Sequence, residues 1–314
     1  MGRLAWATFL CALFSLSCGR SPVRSTGPGS ARPAFGKTDT IVRETEMGTA
    51  RIFFALPESG YDEVWFYFHG AGAVDASVVE KVERLAGRGG RAPAIVALTF
   101  GPRWTLTGPT EKRAFSATEV FWKEILPLVN ERVEARARRV GIGYSQGGFN
   151  LLSLFADRPD FWDALVLINA AVAELSPASD DAAVKAYVAR TRAYTPSQRL
   201  KSVFGFPLDR NIRVILEAWG AVSRSAEAWD RVEPIGRIAS MPGRASLALP
   251  VLIACGRSDQ FGFHEGSRRL AELLSADPNL RTDFYAGHHE DMPEAAVRDF
   301  LSWEAGVAAK GGRR

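Results

Sequence analysis

The 314-residue chain is 46% apolar and 24% charged, enough to bury one large core or two small ones and unlike the make-up of a disordered or collagenous chain. Its 39 Lys and Arg against 35 Asp and Glu give +4, yet Arg3, Arg20, Arg24, Arg32, Lys310, Arg313 and Arg314 all fall in 1–34 or 310–314, where no acid occurs, so the stretch between carries −3. That placement argues against a basic docking face for nucleic acid, and beyond the N-terminal segment no apolar run reaches the roughly 18 residues of a membrane span.

Residues 1–17 hold Arg3 and then an apolar run from Leu4 to Leu16, interrupted by Thr8 and Ser15, which reads as a bacterial export signal. Cys18, followed by Gly19, resembles the lipidated cysteine of bacterial lipoproteins, with Leu16 one place nearer to it than usual. The expectation is a protein of the cell envelope, anchored only through Cys18 or else freely secreted. Residues 18–36, rich in Gly, Pro, Ser and Arg, read as a flexible tether, and folding is expected from Lys37. Cys11 leaves with the signal, so only Cys255 remains in the folded part and an intramolecular disulfide is excluded.

Two extended segments come next, Thr40–Arg43 and Ala50–Leu56. Short apolar runs then alternate with helical patterns: Val64–Phe68, Ala94–Phe100, Val140–Tyr144, Ala164–Ile168, Val251–Cys255 and Thr282–Tyr285. Several runs are apolar at consecutive positions, the mark of parallel strands covered on both faces. A helix after Ser116 carries a capping-box spacing to Glu119 and an apolar stripe of Phe121, Ile125, Leu128 and Val129, with a kink expected at Pro127. A last helix is expected from the start signal of Asp291 and Glu294, with Val297, Phe300 and Leu301 buried. The pattern is α/β, a doubly wound, mostly parallel sheet over 37–309 with a basic tail at 310–314.

One connection breaks the scheme. From Val172 to Arg244 there are 73 residues, where α/β loops usually run about 2 to 6. Helical patterns at Val184–Tyr194 and Ile212–Trp219, with Phe204, Phe206 and Trp229, mark a helical cap insertion at 172–244, expected to set acyl chain length without touching the chemistry. Arg190, Arg192, Arg210, Arg213 and Arg224 read as its solvated face.

Gly143, Tyr144, Ser145, Gln146 and Gly147 follow a buried run and precede a helical one, so Gly-x-Ser-x-Gly stands in the strand–turn–helix context of a nucleophile elbow. A side chain at 143 or 147 would collide with the neighbouring helix or strand. Gly141, Gly143 and Gly147 also suit a dinucleotide-binding turn, but the motif lies on the third parallel run and the next strand ends in Asn169 rather than a ribose-binding acid. Asp259 is the first acid past Val251–Cys255, and His288 and His289 follow Phe284–Tyr285 and Gly287. Serine, aspartate and histidine thus each sit just past a strand end, where open α/β sheets gather their ligands.

With these residues the chain resembles a serine hydrolase of the α/β-hydrolase superfamily, in the style of its esterases and thioesterases, over about Thr49–Trp303. The resemblance implies Ser145 as nucleophile, Asp259 as acid and His288 as base, because His288 directly follows Gly287; His289 is the alternative, and only one of the pair should reach Ser145. It implies an oxyanion hole from the backbone N–H of Gln146 and that of Ala71 or Gly72, with His69 structural. A small-molecule or lipid-like ester or thioester is then the expected substrate. No metal or other cofactor is implied, since four histidines, two adjacent, offer no ligand spacing. Competing readings are a catalytically silent hydrolase fold serving as a surface binding module, and a nucleotide-dependent oxidoreductase.

Overall fold

A computed structural model describes residues 35–71, 92–101, 104–194, 208–241 and 249–311. The signal, most of the tether, Gly72 and the last three residues lie outside these ranges. Among these residues eight strands form one sheet: β1 (Phe35–Thr45), β2 (Gly48–Pro57), β3 (Glu63–Phe68), β4 (Ala94–Thr99), β5 (Arg138–Tyr144), β6 (Ala164–Ile168), β7 (Val251–Ala254) and β8 (Leu280–Asp283). Their order is β1-β2-β4-β3-β5-β6-β7-β8. The first two pairings, β1 with β2 and β2 with β4, are antiparallel. All the others are parallel, so every strand from β3 to β8 delivers its carboxyl end to one edge.

The consecutive apolar runs have the cause that their pattern suggests: β4 and β6 are buried at every position. Alternate residues feed two cores. Phe66, Phe68, Val96 and Leu165 face one, while Trp65, Tyr67, Ile95 and Val166 face the other. Helix α1 covers the first face in three pieces, Ala117–Val120, a π-helical turn Phe121–Ile125, and Leu126–Asn130. Ser116 Oγ caps it by accepting from Glu119 N–H at 3.2 Å. The irregularity expected at Pro127 takes the form of that π turn: Leu126 N–H reaches back five residues to Phe121 O, just before a residue with no N–H to donate. Helix α2 (Gln146–Asp157) joins the same face, and helix α8 (Glu294–Gly311) packs Val297, Phe300 and Leu301 on the other.

Among the described residues, four helices lie between β6 and β7: α3 (Asp181–Tyr194), α4 (Leu208–Trp219), α5 (Ala226–Asp230) and α6 (Pro234–Ala239). The first three share a third apolar cluster with Phe149 of α2, in which the Trp219 and Trp229 rings stack at 5.0 Å. That cluster seats the insertion on the carboxyl-end side of the sheet. α6 instead returns to the sheet layer, with Ile235 and Ile238 in the first core and Arg237 paired with Asp157 of α2. Helix α7 (Phe263–Leu273) follows β7.

Several boundaries differ from the sequence reading. β1 takes in Phe35 and Gly36, assigned above to the tether. β8 lies two residues early, because Tyr285 leaves the ladder to bond Asn169 and the carbonyl of Asp291. Helix α8 starts at Glu294 and runs into the expected tail. Asp291 does not cap it, since its carboxylate accepts instead from His288 N–H at 2.7 Å.

Candidate active site

At the end of β5 the chain must pass from strand to helix without a loop. Ser145 makes the turn with φ 54° and ψ −121°, a strained conformation for a residue with a Cβ. Its flanking glycines are required by contact. A Cβ on Gly147 would lie 1.8 Å from Phe68 O at the end of β3, and one on Gly143 would lie 2.6 Å from the Cα of Gly148 in α2. Main-chain bonds complete the turn, with Ser145 N–H donating to Ile168 O at 2.9 Å and Ser145 O accepting from Gly148 and Ala171 at 2.9 and 2.8 Å.

Asp259 follows β7. One carboxylate oxygen accepts from Phe261 N–H at 2.8 Å and Phe263 N–H at 3.4 Å, which leaves the other for a histidine. That histidine is His289. Its Nδ1 is 2.7 Å from Asp259 Oδ2 and its Nε2 is 2.8 Å from Ser145 Oγ, in a relay that is almost wholly buried.

The expectation that His288 is the base is therefore wrong, while the expectation that one member of the pair reaches Ser145 holds. Gly287 does turn the loop, but the turn consumes one residue more than expected. His288 donates its N–H to Asp291, and its Nδ1 lies 3.1 Å from Ser258 O, so its ring stays beside the acid loop. His289 comes next and points inward. Glu290 lies beside the site without belonging to the relay, accepting from Gln260 Nε2 at 2.5 Å.

The imidazole is held through its own backbone by residues that the sequence did not flag for this purpose. His289 N–H donates to Gln260 Oε1 at 3.1 Å, and His289 O accepts from Tyr144 Oη and from Asn169 Nδ2, both at 2.8 Å. Asn169 directly follows β6 with φ 47° and is fully buried, and its Oδ1 takes Gly256 N–H at 2.9 Å. It thus ties together the ends of β6, β7 and the histidine loop. Burial pushes the Tyr144 and Tyr285 phenols well above their ordinary values, so both stay protonated as donors. The rings of Phe261 and Phe263 meet the imidazole edge to face at 4.8 and 5.5 Å.

Gly70 brings the turn after β3 against the elbow, since a Cβ there would lie 3.1 Å from that of Ser145, and Ala71 stands next in the turn. Gly72, the other expected oxyanion donor, lies outside the described residues. Gln146 opens α2, where main-chain N–H groups have no intrahelical acceptor, and its amide donates to Thr105 Oγ1 at 3.2 Å. His69 is buried with Nδ1 2.5 Å from Gly70 O, and Cys255 is fully buried with its thiol pushed up by desolvation.

No protein-family model and no curated protein matches the sequence. Among solved structures the chain is similar to brefeldin A esterase, a bacterial homologue of human hormone-sensitive lipase, with a TM-score of 0.62 and 16% identity over 96% of this chain and 83% of that one. It is also similar to a ferulic acid esterase (TM-score 0.57, 14% identity, 87% of this chain and 98% of that one). A third is an S-formylglutathione hydrolase from Agrobacterium tumefaciens (TM-score 0.52, 18% identity, 87% and 96%). The strand order, the elbow and the helical insertion define the α/β-hydrolase fold. On that fold the chain carries a hydrogen-bonded serine, histidine and aspartate in the triad arrangement.

Proposed function

We propose that the protein is a serine hydrolase that cleaves a carboxylic ester or thioester through an acyl-enzyme on Ser145. The observation that carries this reading is the unbroken relay from Ser145 Oγ through His289 to Asp259, set on a strained turn. His289 Nε2 takes the serine proton as Oγ attacks the carbonyl, and Asp259 fixes the imidazole tautomer and stabilises its cation. The N–H groups of Gln146 and Ala71 receive the oxyanion, and removing one such donor typically costs about 10²–10³ in kcat. The imidazolium then protonates the leaving alcohol or thiol, and water repeats the sequence on the acyl-enzyme.

The three similar structures, two esterases and a hydrolase, favour acyl transfer to water. A screen of p-nitrophenyl esters of graded chain length, with a thioester and a peptide included, tests the class. Turnover of short esters and the thioester is expected, and activity confined to the peptide would overturn it. The signal at 1–17 and Cys18 support an envelope location. Mass spectrometry of the mature N-terminus tests that, with a lipidated Cys18 expected and an unmodified residue beyond it indicating plain secretion.

A further inference from the structure

The insertion also holds the loop that carries Asp259. The loop from Asp259 to Phe263 contains two trans peptide units whose opposite edges face different parts of the molecule. In the unit joining Gln260 to Phe261, the oxygen accepts from Asn211 Nδ2 on α4 at 2.8 Å while the N–H donates to Asp259 Oδ1 at 2.8 Å. In the unit joining Gly262 to Phe263, the oxygen accepts from Tyr187 Oη on α3 at 2.5 Å while the N–H donates to the same Oδ1 at 3.4 Å. A peptide unit is a rigid plane with its C=O and N–H pointing in opposite directions. Fixing the oxygen on one side therefore fixes the direction of the N–H on the other.

We infer that Asn211 and Tyr187 are positioning residues of the triad, which clamp these two peptide planes so that their N–H groups hold the Asp259 carboxylate square to His289. The inference rests on the serine-hydrolase reading. The clamp reaches the base by a second route as well, because the side chain of Gln260 accepts from His289 N–H at 3.1 Å. Asn211 and Tyr187 are both buried, so no water stands in for either donor, and removing one leaves its carbonyl unpaired and its plane free to turn. Displacing a reacting group by about 1 Å costs up to 10²-fold in rate, which sets the size of effect that loss of the clamp should have.

The test uses Tyr187→Phe, which removes one oxygen, and the double variant Tyr187→Phe with Asn211→Leu, each assayed on p-nitrophenyl acetate, whose acyl group is too small to need the cap. kcat should fall about 3-fold in the first and about 10- to 100-fold in the second with KM unchanged, and phosphonylation of Ser145 by a fluorophosphonate should slow in step. The low-field proton resonance of the His289–Asp259 hydrogen bond should shift. Arg269→Gln, which weakens an ion pair to Glu174 at 3.1 Å away from the acid loop, should leave all three readings unchanged. Unchanged kcat and resonance in Tyr187→Phe and the double variant would overturn the clamp, as would an equal loss in Arg269→Gln; if the double variant fails to fold, Tyr187→Phe alone decides. A wild-type protein inert to the fluorophosphonate would instead overturn the hydrolase reading.

Discussion

The two ends of β5 both bury polar groups, and they do so to different ends. At its start Arg138 lies between Glu63, at 2.7 Å, and Glu304 of α8, which is fully buried. At its finish Tyr144 and Ser145 enter a hydrogen-bond net drawn from the loops after β6, β7 and β8. Burial holds the Glu304 carboxyl up at about 7 against the pull of the guanidinium, while Glu304 and Glu63 raise Arg138 although its own burial would lower it. The ion cluster thus closes on itself and is aimed at nothing. The net at the other end is aimed at one oxygen, Ser145 Oγ. A perturbed carboxyl here marks packing, and the functional site is marked by convergence.

The largest expected effect separates the adjacent histidines. His289→Ala should lower kcat on any ester by about a thousandfold or more, whereas His288→Ala, which removes only a contact to Ser258 O, should stay near wild type. Steady-state assays of the two variants check this, and a reversed result would return the base to His288.

Next in size is an effect on stability at the far end of the strand. Glu304 has a native value of about 7 against 4.5 as its ordinary value, so the native state binds its proton more tightly than the unfolded state. Its contribution is fully present below about pH 4.5 and is lost as pH rises to about 7, by on the order of 3 kcal/mol at most. Glu304→Gln should flatten that part of the denaturant-midpoint profile and leave kcat unchanged. A change in kcat would show that the two ends of β5 are coupled.

The smallest effect lies in the support of the base. Asn169→Ala leaves His289 O with Tyr144 as its remaining donor and removes the acceptor of Gly256 N–H, so kcat should fall about 10-fold. Tyr144→Phe should cost less, a few-fold, because Asn169 still holds the carbonyl. If Tyr144→Phe is the more damaging of the two, the histidine loop hangs on the elbow rather than on the end of β6.

This ranking explains what was legible in the sequence. Ser145 was legible because sterics around the turn write it into the local sequence: a Cβ at 143 would meet Gly148 of the following helix and one at 147 the end of β3, so both positions are glycine. Asp259 was legible as the first acid beyond a buried strand. The choice between His288 and His289 was not, because Gln260, Asn169, Tyr144 and Asp291 make it through bonds that span from 3 to 145 residues of sequence. The sheet was readable from its consecutive apolar runs, yet β8 slipped two places because Tyr285 is spent on a side-chain bond to Asn169. α5 and α6, of five and six residues, are too short to show a helical period and are held by the caps of Ser225 and Glu233.

The account stands on covalent chemistry at one oxygen. Mixing the protein with a slowly deacylating p-nitrophenyl ester, quenching in acid and mapping the peptides by mass spectrometry reads it directly. One acyl group per chain on Ser145, matched by a stoichiometric burst of p-nitrophenol and abolished in Ser145→Ala, is the expected result. Turnover without a burst, or an acyl group on any other residue, would contradict it.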